Sequence, residues 1–406
     1  MRRFLSCLFG FIWLAVVCQA SMVHSSEQTQ QAEDNLRVSL LTCSPGNLIY
    51  ELYGHTALRI QDLQSGDDWV FNYGVFDFGK PHFIWRFVKG ETDYELGVLP
   101  YDIFAESYAM RGSDVVEQEL NLCVHEKVKL YQLLLENYQK ENRVYRYNFL
   151  YDNCTTRARD KIEESIDGTV KYSEAHMPLT YRDIIHRYTK NYPWSEFGQD
   201  ILLGAEADRP ITARQQMFAP LLMMSYADHA EIEAYDRSER KLVNQTSCIV
   251  TGEPQGKKSD SMLFTPMVFF CLWLLLTMLV CLSEWRWQKK WWGYDLLLYG
   301  LQGLAGCVVT FLFFMSDHPT VGSNWLIIIL NPLPLCYLPW MVYKTRKGNF
   351  DIFHPIAVTV LTFFMLLWPA FPQFFPPAIA VLALNLWVRS AAKIYLYKKQ
   401  RSKQQA

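Results

Sequence analysis

The sequence predicts an α+β domain followed by an all-α bundle of about five membrane-spanning helices. Residues from about 27 to 260 are rich in charge and alternate between strand and helix patterns, whereas residues from about 262 to 393 are mostly apolar. The 406 residues are enough for two such domains. A formal net charge of −2 gives no support for nucleic-acid binding, so no nucleic-acid partner is expected.

The start of the chain is predicted to be a secretory signal peptide over residues 1–20. Two arginines precede an apolar run, residues 4–17, and residues 18–20 place small side chains at the −3 and −1 positions of a cleavage site. An uncleaved anchor and lipidation at Cys18 are the alternatives. The predicted domains are therefore residues 21–260, exported, and residues 261–406, embedded in the membrane and ending in a cytoplasmic tail.

The exported domain is predicted to begin with antiparallel strands, against which later helices pack. Period-2 alternation predicts strands over residues 36–43, 54–60, 68–74, 93–99 and 113–122. Apolar residues at helical spacing predict helices over residues 101–110, 126–141, 181–188, 195–203 and 212–230.

Cys154 lies where an aromatic, strand-like run gives way to a polar helix. Asp152 and Asn153 come directly before it, and both residue types cap helix N-termini. A thiol at that position lies at the positive end of the helix dipole, which favours the thiolate. Cys154 is therefore a candidate nucleophile, and a small, buried, inert cysteine is the alternative interpretation.

A cysteine nucleophile needs a base, and the base needs an orienting partner. Among the histidines of the exported domain, His55 is the one predicted inside a well-formed strand with a partner strand close behind. The partner strand supplies Asn72 as the preferred orienting residue, with Asp77 and Tyr73 as rivals. A half-buried histidine bonded to a backbone carbonyl is the alternative interpretation of His55.

Four stretches of the chain resemble one bacterial family. They are GHTALRI at residues 54–60, VFNYGVFDF at residues 70–78, YNF and DNCTTR within residues 147–157, and LLG with a later aspartate within residues 202–208. A strand histidine, a strand polar residue and then a cysteine at a helix start are similar to the circularly permuted papain-like (NlpC-type) fold. The whole set, with the apolar half, resembles the Bacteroidetes lipoprotein N-acyltransferase family, Lnb.

The resemblance implies acyl transfer onto the N-terminal cysteine of lipoproteins, with Cys154 and His55 as the catalytic pair in a periplasmic domain. We expect a membrane phospholipid to donate the acyl chain through a thioester on Cys154. A diacylated lipoprotein would accept it on its N-terminal amine. The role of Asn72 is an inference from its position. No cofactor or metal is expected, since the chain has no zinc-type spacing of His and Cys.

Several other residues allow two interpretations each. Arg157 could hold a phosphate near the thiol or be a solvated helix charge. Asp317 and His318, in a loop expected at the outer membrane surface, could bind a lipid headgroup or form a polar turn. Cys43 and Cys123 could pair as a disulfide in an oxidising compartment.

The apolar half contains five segments that could cross a bilayer, residues 262–282, 294–315, 325–343, 354–371 and 376–388. Prolines interrupt the last two. Lys and Arg follow the first, third and fifth segments, whereas the loops after the second and fourth segments carry none. The positive-inside rule therefore places the charged ends in the cytoplasm. This predicts a multi-pass protein of the inner (cytoplasmic) membrane, with its exported domain in the periplasm.

Two other functions remain open. A membrane-anchored cysteine amidase or peptidase acting on the cell wall would use the same thiol. One span would tether such an enzyme, so the extra four argue against it. A non-enzymatic envelope scaffold would leave Cys154 without a chemical role.

Overall fold

The computed structural model describes residues 35–76, 81–173, 178–252 and 263–405. The predicted signal peptide and the rival residue Asp77 lie outside the described residues. The described chain divides into two compact units. The first contains residues 35–76, 93–173 and 213–252, and the second contains residues 81–92, 178–212 and 263–405. Two segments of the predicted exported domain therefore belong to the second unit.

The first unit is built around a seven-stranded antiparallel sheet. The strands of the described residues are β1 (Leu36–Cys43), β2 (His55–Asp62), β3 (Asp68–Val75), β4 (Asp93–Pro100), β5 (Val115–Leu120), β6 (Val144–Arg146), β7 (Gly168–Lys171), β8 (Glu231–Ala234), β9 (Glu239–Lys241) and β10 (Val243–Val250). The order in the large sheet is β10-β5-β1-β2-β3-β4-β6, and β7, β8 and β9 form a second sheet. Because β2 and β3 are neighbours, the residues predicted as base and orienting partner lie on adjacent strands.

The α-helices of the described residues are, in chain order, α1 (Phe83–Lys89), α2 (Tyr101–Met110), α3 (Val124–Tyr138), α4 (Cys154–Ser165), α5 (Tyr181–Thr189), α6 (Pro193–Leu202), α7 (Ala213–Gln216), α8 (Pro220–Asp228), α9 (Pro266–Trp287), α10 (Trp292–Met315), α11 (Leu333–Lys347), α12 (Phe353–Leu366) and α13 (Pro377–Gln405). Helices cover both faces of the large sheet. Leu40 and Leu58 share a core with α3, α4 and α8, whereas Leu41 and Ala57 face α2. Successive residues of β1 and β2 therefore pack into two different hydrophobic cores, one on each face of the sheet.

The predicted α+β class is confirmed. The helix predicted over residues 212–230 is instead two helices, α7 and α8, because Pro220 cannot donate the hydrogen bond that would continue the first. The sheet also gains β10 after these helices. That strand lies at an edge, has only two buried residues among its eight and has two register irregularities, so it lacks the alternation that predicts a strand.

Arg59 ties several elements of the first unit together. Its guanidinium donates to Asp68 at 2.8 and 2.5 Å and to Glu117 at 3.0 Å, and it lies 3.5 Å from the centroid of the Tyr101 ring. The side chains of Arg59 and Glu117 are each only 10% exposed. Loss of the arginine would leave a buried carboxylate uncompensated, which is among the costlier changes in a protein core.

The second unit contains four helical spans long and apolar enough to cross a membrane, residues 266–287, 292–315, 325–347 and 377–402. The expected fourth segment, 354–371, is the shorter helix α12, which ends at Leu366 before the Trp368-Pro369 turn. The expected last segment was too short. Residues after 388, predicted as a tail, continue as helix to Gln405 because no proline or glycine follows Pro377.

A buried ion cluster lies among α9, α10 and α13. Arg389 donates to Glu284 at 2.8 and 3.0 Å and to Asp295 at 2.5 Å, and Lys393 contacts both carboxylates at 3.0 and 2.8 Å. Two cations and two carboxylates balance one another, which is how ionised groups are tolerated inside an apolar bundle.

Arg182 joins the α5–α6 segment of the second unit to the turn after it. It is buried and donates to Asp200 at 2.6 Å and to Asp208 at 2.7 Å. Asp208 also accepts from the backbone N–H of Phe374 at 3.0 Å. Gly204 approaches the backbone of residues 320 and 323 too closely for a side chain. The LLG motif and its aspartate thus have structural partners.

Replacing Arg59 with Ala should lower the free energy of unfolding by about 3–5 kcal/mol, because the buried carboxylate of Glu117 then has no compensating positive charge. Arg37 provides a matched control. It pairs with Glu119 at 3.2 Å on the surface, so Arg37→Ala should cost about 0–1 kcal/mol. Denaturant unfolding of both variants measures the difference, and equal losses would contradict it.

Candidate active site

The helix that carries Cys154 begins where the sequence predicts, and Asn153 defines that start. The side-chain oxygen of Asn153 accepts from the backbone N–H groups of Thr155 and Thr156 at 2.9 and 3.0 Å. Thr156 accepts from the backbone N–H of Asn153 at 2.8 Å, which completes a capping box. Within the described chain, the backbone N–H of Cys154 has no acceptor, so it is free to bind a ligand.

The segment before the helix is a tight loop rather than the end of a strand. β6 ends at Arg146, and the backbones of Asn148 and Asp152 then exchange two hydrogen bonds of 2.9 Å. The side-chain nitrogen Nδ2 of Asn153 donates to the backbone carbonyls of Phe149 and Phe218 at 2.9 Å each. The loop and its cap therefore fix the first turn of α4 against the domain.

The structure brings Cys154 and His55 together. A methyl group built onto Gly74 would lie 3.8 Å from Cys154 Cβ and 3.9 Å from His55 Cε1, so one small space touches both side chains. Next to the pair, the hydroxyls of Thr56 and Thr155 lie 3.1 Å apart and join β2 to α4. The two predicted catalytic side chains thus face one site from different elements.

Asn72 contacts the Nε2 edge of the imidazole. Its side-chain oxygen lies 2.5 Å from His55 Nε2, so it accepts a hydrogen bond from that nitrogen. With the proton held on Nε2, Nδ1 of the neutral ring is the nitrogen that can take a proton from the thiol. The rival Tyr73 is engaged elsewhere, since its hydroxyl donates to Asn137 at 2.7 Å.

An irregularity in β3 presents Asn72 and opens the site. The pairing of β3 with β4 shifts between Asn72 and Val75, so an extra residue bulges there. Gly74 lies in the bulge with a φ of +91°, which favours glycine. Its missing side chain leaves a space that borders both Cys154 Cβ and His55 Cε1. The sequence signal for this feature was the glycine in the NYG motif.

The electrostatic environment favours the thiolate. Burial raises the pKa of the Cys154 thiol, but the charge of His55, a hydrogen bond with it and the backbone N–H of Thr56 outweigh burial and lower the pKa from 9.0 to about 7. For His55, burial lowers the pKa, and the charge of Cys154 with the bonds to Cys154 and Asn72 raises it above 6.5. Near neutral pH the pair is therefore poised to exchange a proton.

Cys43 is a second thiol close to His55 with the opposite character. It lies opposite His55 in the register of β1 and β2 and is fully buried. Burial raises the pKa of this thiol, so it stays protonated. Cys43 and Cys123 are both free cysteines, so the disulfide considered from the sequence is not formed.

Arg157 has partners of its own beside the site. It donates to both carboxylate oxygens of Asp152, at 2.6 and 2.8 Å, and its guanidinium lies 3.7 Å from the centroid of the Tyr145 ring. Any phosphate bound by Arg157 would compete with that carboxylate. Its role in substrate binding stays a prediction.

Asp317 and His318 belong to the second unit, where they meet the end of α1. The backbone N–H of Asp317 donates to the carbonyl of Lys89 at 2.8 Å, and His318 Nε2 donates to the carbonyl of Phe87 at 2.6 Å. The side chain of Asp317 is exposed. These contacts explain the loop as a cap on α1, and headgroup binding by the two residues stays a prediction.

Comparison with known proteins gives two matches. Residues 25–187 match a family model described as the Lnb N-terminal periplasmic domain, and residues 257–401 match one described as the Lnb transmembrane domain. The first match includes His55, Asn72 and Cys154. No curated protein and no solved structure matches the chain.

The rate of Cys154 alkylation by iodoacetamide should rise with pH about a midpoint near 7. A lowered thiol pKa means that reactivity is lost as pH falls through 7, with about one part in a hundred of thiolate left at pH 5. His55→Ala should move the midpoint upward, because burial then acts without the compensating charge. His125→Ala, which removes an exposed histidine bound to Asp167, should leave it unchanged. Mass spectrometry of the Cys154 peptide measures each rate.

Gly74→Ala should slow the same alkylation about tenfold or more, because the new methyl group occupies the space that borders both side chains. Gly66→Ala is the control. Gly66 has a φ of +81° but no atom near its Cβ, so both variants should lose about 1–2 kcal/mol of stability from backbone strain. An equal alkylation rate in the two variants would show that the space is not the route to the thiol.

Proposed function

We propose, from the premise that this chain belongs to the Lnb family, that it is a lipoprotein N-acyltransferase with Cys154 as its nucleophile. The chain is a membrane protein with a periplasmic domain. The observation that carries the proposal is the direct pairing of a thiol of lowered pKa with an oriented imidazole inside that periplasmic domain. Such a pair is what acyl transfer through a thioester requires.

In the first half of the proposed reaction, His55 takes the proton of Cys154, and the thiolate attacks an ester carbonyl of a membrane phospholipid. The backbone N–H of Cys154 is placed to donate to the oxyanion of the tetrahedral intermediate. As the intermediate collapses, the C–O bond breaks and the imidazolium of His55 protonates the departing lysophospholipid. A thioester remains on Cys154.

In the second half, the N-terminal α-amine of a diacylated lipoprotein attacks the thioester. His55 accepts the proton of the amine, the C–N bond forms, and the thiolate leaves. The product is an amide, which gives the lipoprotein its third acyl chain. Asn72 holds the imidazole in one orientation through both halves by accepting from Nε2. Neither half needs a redox step.

The membrane bundle supports this substrate choice. Both proposed substrates carry acyl chains and stay in a bilayer, so a tethered enzyme meets them at a raised effective concentration. The basic ends of the first and third spans, Arg286 to Lys290 and Lys344 to Lys347, support a cytoplasmic side opposite the periplasmic domain. That arrangement fits the inner membrane.

Cells that carry Cys154→Ala should accumulate diacylated lipoproteins, whereas cells with the wild-type protein should produce N-acylated ones. Mass spectrometry of a lipoprotein N-terminus distinguishes the two by the mass of one acyl chain. Cys43→Ala is the matched control, because it removes a buried thiol next to the same histidine, and it should retain N-acylation wherever the protein folds.

Full N-acylation by the Cys154→Ala variant would contradict the proposal. A cell-wall amidase using the same thiol predicts a different result: unchanged lipoproteins in both strains and Cys154-dependent release of peptide from purified peptidoglycan. Measuring both products in parallel separates the two enzymes.

A further inference from the structure

Tyr145 carries a buried hydroxyl that the rest of the domain leaves unsatisfied. The residue is 6% exposed, and within the described chain its hydroxyl oxygen has no hydrogen-bond partner. Buried hydroxyl groups normally find a partner, because desolvation without one is costly. The neighbouring Tyr73 follows this rule, since its hydroxyl donates to Asn137. The hydroxyl of Tyr145 has no such partner in the described chain, so it is available to bind a group of the substrate.

The hydroxyl of Tyr145 faces the reacting pair. A methyl group on Gly74 would lie 4.0 Å from the Tyr145 oxygen, 3.8 Å from Cys154 Cβ and 3.9 Å from His55 Cε1. One position in space thus contacts all three side chains. A substrate carbonyl attacked by the Cys154 sulfur would lie in this space, within reach of the tyrosine.

The ring of Tyr145 is held in place and polarised. The Arg157 guanidinium lies over its face at 3.7 Å, and Asp152 fixes that guanidinium with two hydrogen bonds. A cation on the ring face draws electron density from the ring, which makes the O–H a better donor. Burial and the charge of Cys154 raise the pKa of Tyr145, so the hydroxyl keeps its proton.

We propose that Tyr145 is a catalytic residue that donates a hydrogen bond to the oxyanion formed when Cys154 attacks the acyl carbonyl. The S–C bond forms, the carbonyl π electrons move to oxygen, and Tyr145 and the Cys154 backbone N–H bind that oxygen without giving up their protons. Collapse re-forms the carbonyl and expels the leaving group. This inference rests on the proposed thioester chemistry and names a second donor for it.

The test is Tyr145→Phe in the full-length protein, with acylation of Cys154 followed by mass spectrometry in single turnovers. Two acyl donors are used, a short-chain p-nitrophenyl ester and phospholipid vesicles. The acylation rate should fall about 10²- to 10³-fold with either donor, as for loss of other oxyanion donors, while the concentration for half-maximal rate stays within about twofold. The pH midpoint of Cys154 alkylation should not move.

Tyr73→Phe is the matched control. It removes a buried tyrosine hydroxyl whose partner, Asn137, lies outside the site, so acylation should stay at the wild-type rate. Because Tyr145→Phe removes an unsatisfied group, its melting temperature should equal or exceed that of the wild type.

Two results would overturn the inference. Acylation of Tyr145→Phe within about threefold of the wild-type rate would mean that the hydroxyl does not bind the oxyanion. A shift in the pH midpoint of Cys154 alkylation large enough to explain the lower acylation rate would mean that the Tyr145 hydroxyl acts on the thiolate instead. If the p-nitrophenyl ester acylates the wild-type protein and phospholipid does not, phospholipid is not the acyl donor. The rates measured with the ester then still test the role of Tyr145.

Discussion

The amide side chain of Asn153 sets the geometry on which the rest of the site depends. Its oxygen takes the N–H groups of Thr155 and Thr156, and its nitrogen holds the carbonyls of Phe149 and Phe218. These hydrogen bonds make Cys154 the first residue of α4. Each helical residue turns by about 100°, so a start one residue away would direct the thiol away from His55. The cap also leaves the N–H of Cys154 for a ligand.

Two thiols near one histidine differ in pKa because their surroundings differ. Burial raises the pKa of both Cys43 and Cys154. At Cys154 the imidazole, the backbone N–H of Thr56 and the Thr155 hydroxyl stabilise the anion and reverse the effect of burial. At Cys43 no such set of groups compensates for burial, so the pKa stays raised. A buried cysteine becomes a nucleophile only where the fold brings a cation and donors to it.

Much of this arrangement could be predicted from local patterns. The cap residues before Cys154 identified the helix start, and alternation in β2 and β3 put His55 and Asn72 on adjacent strands. The bulge had only the glycine of the NYG motif as a signal, and the hydroxyl of Tyr145 had none, because both features depend on how β3, β6 and α4 meet in space. The edge strand β10 was missed because its residues, only two of which are buried, carry no alternation. Likewise, α1 and α5 joined the second unit through contacts remote in sequence.

The most direct test is to incubate purified protein at pH 7 with a phospholipid that carries a radiolabelled acyl chain, without any lipoprotein acceptor. The label should appear on the Cys154 peptide, be released by neutral hydroxylamine as a thioester is, and be absent from His55→Ala on the same time scale. Label on another residue, label resistant to hydroxylamine, or equal labelling without His55 would contradict the paired thiol and imidazole as the centre of the reaction.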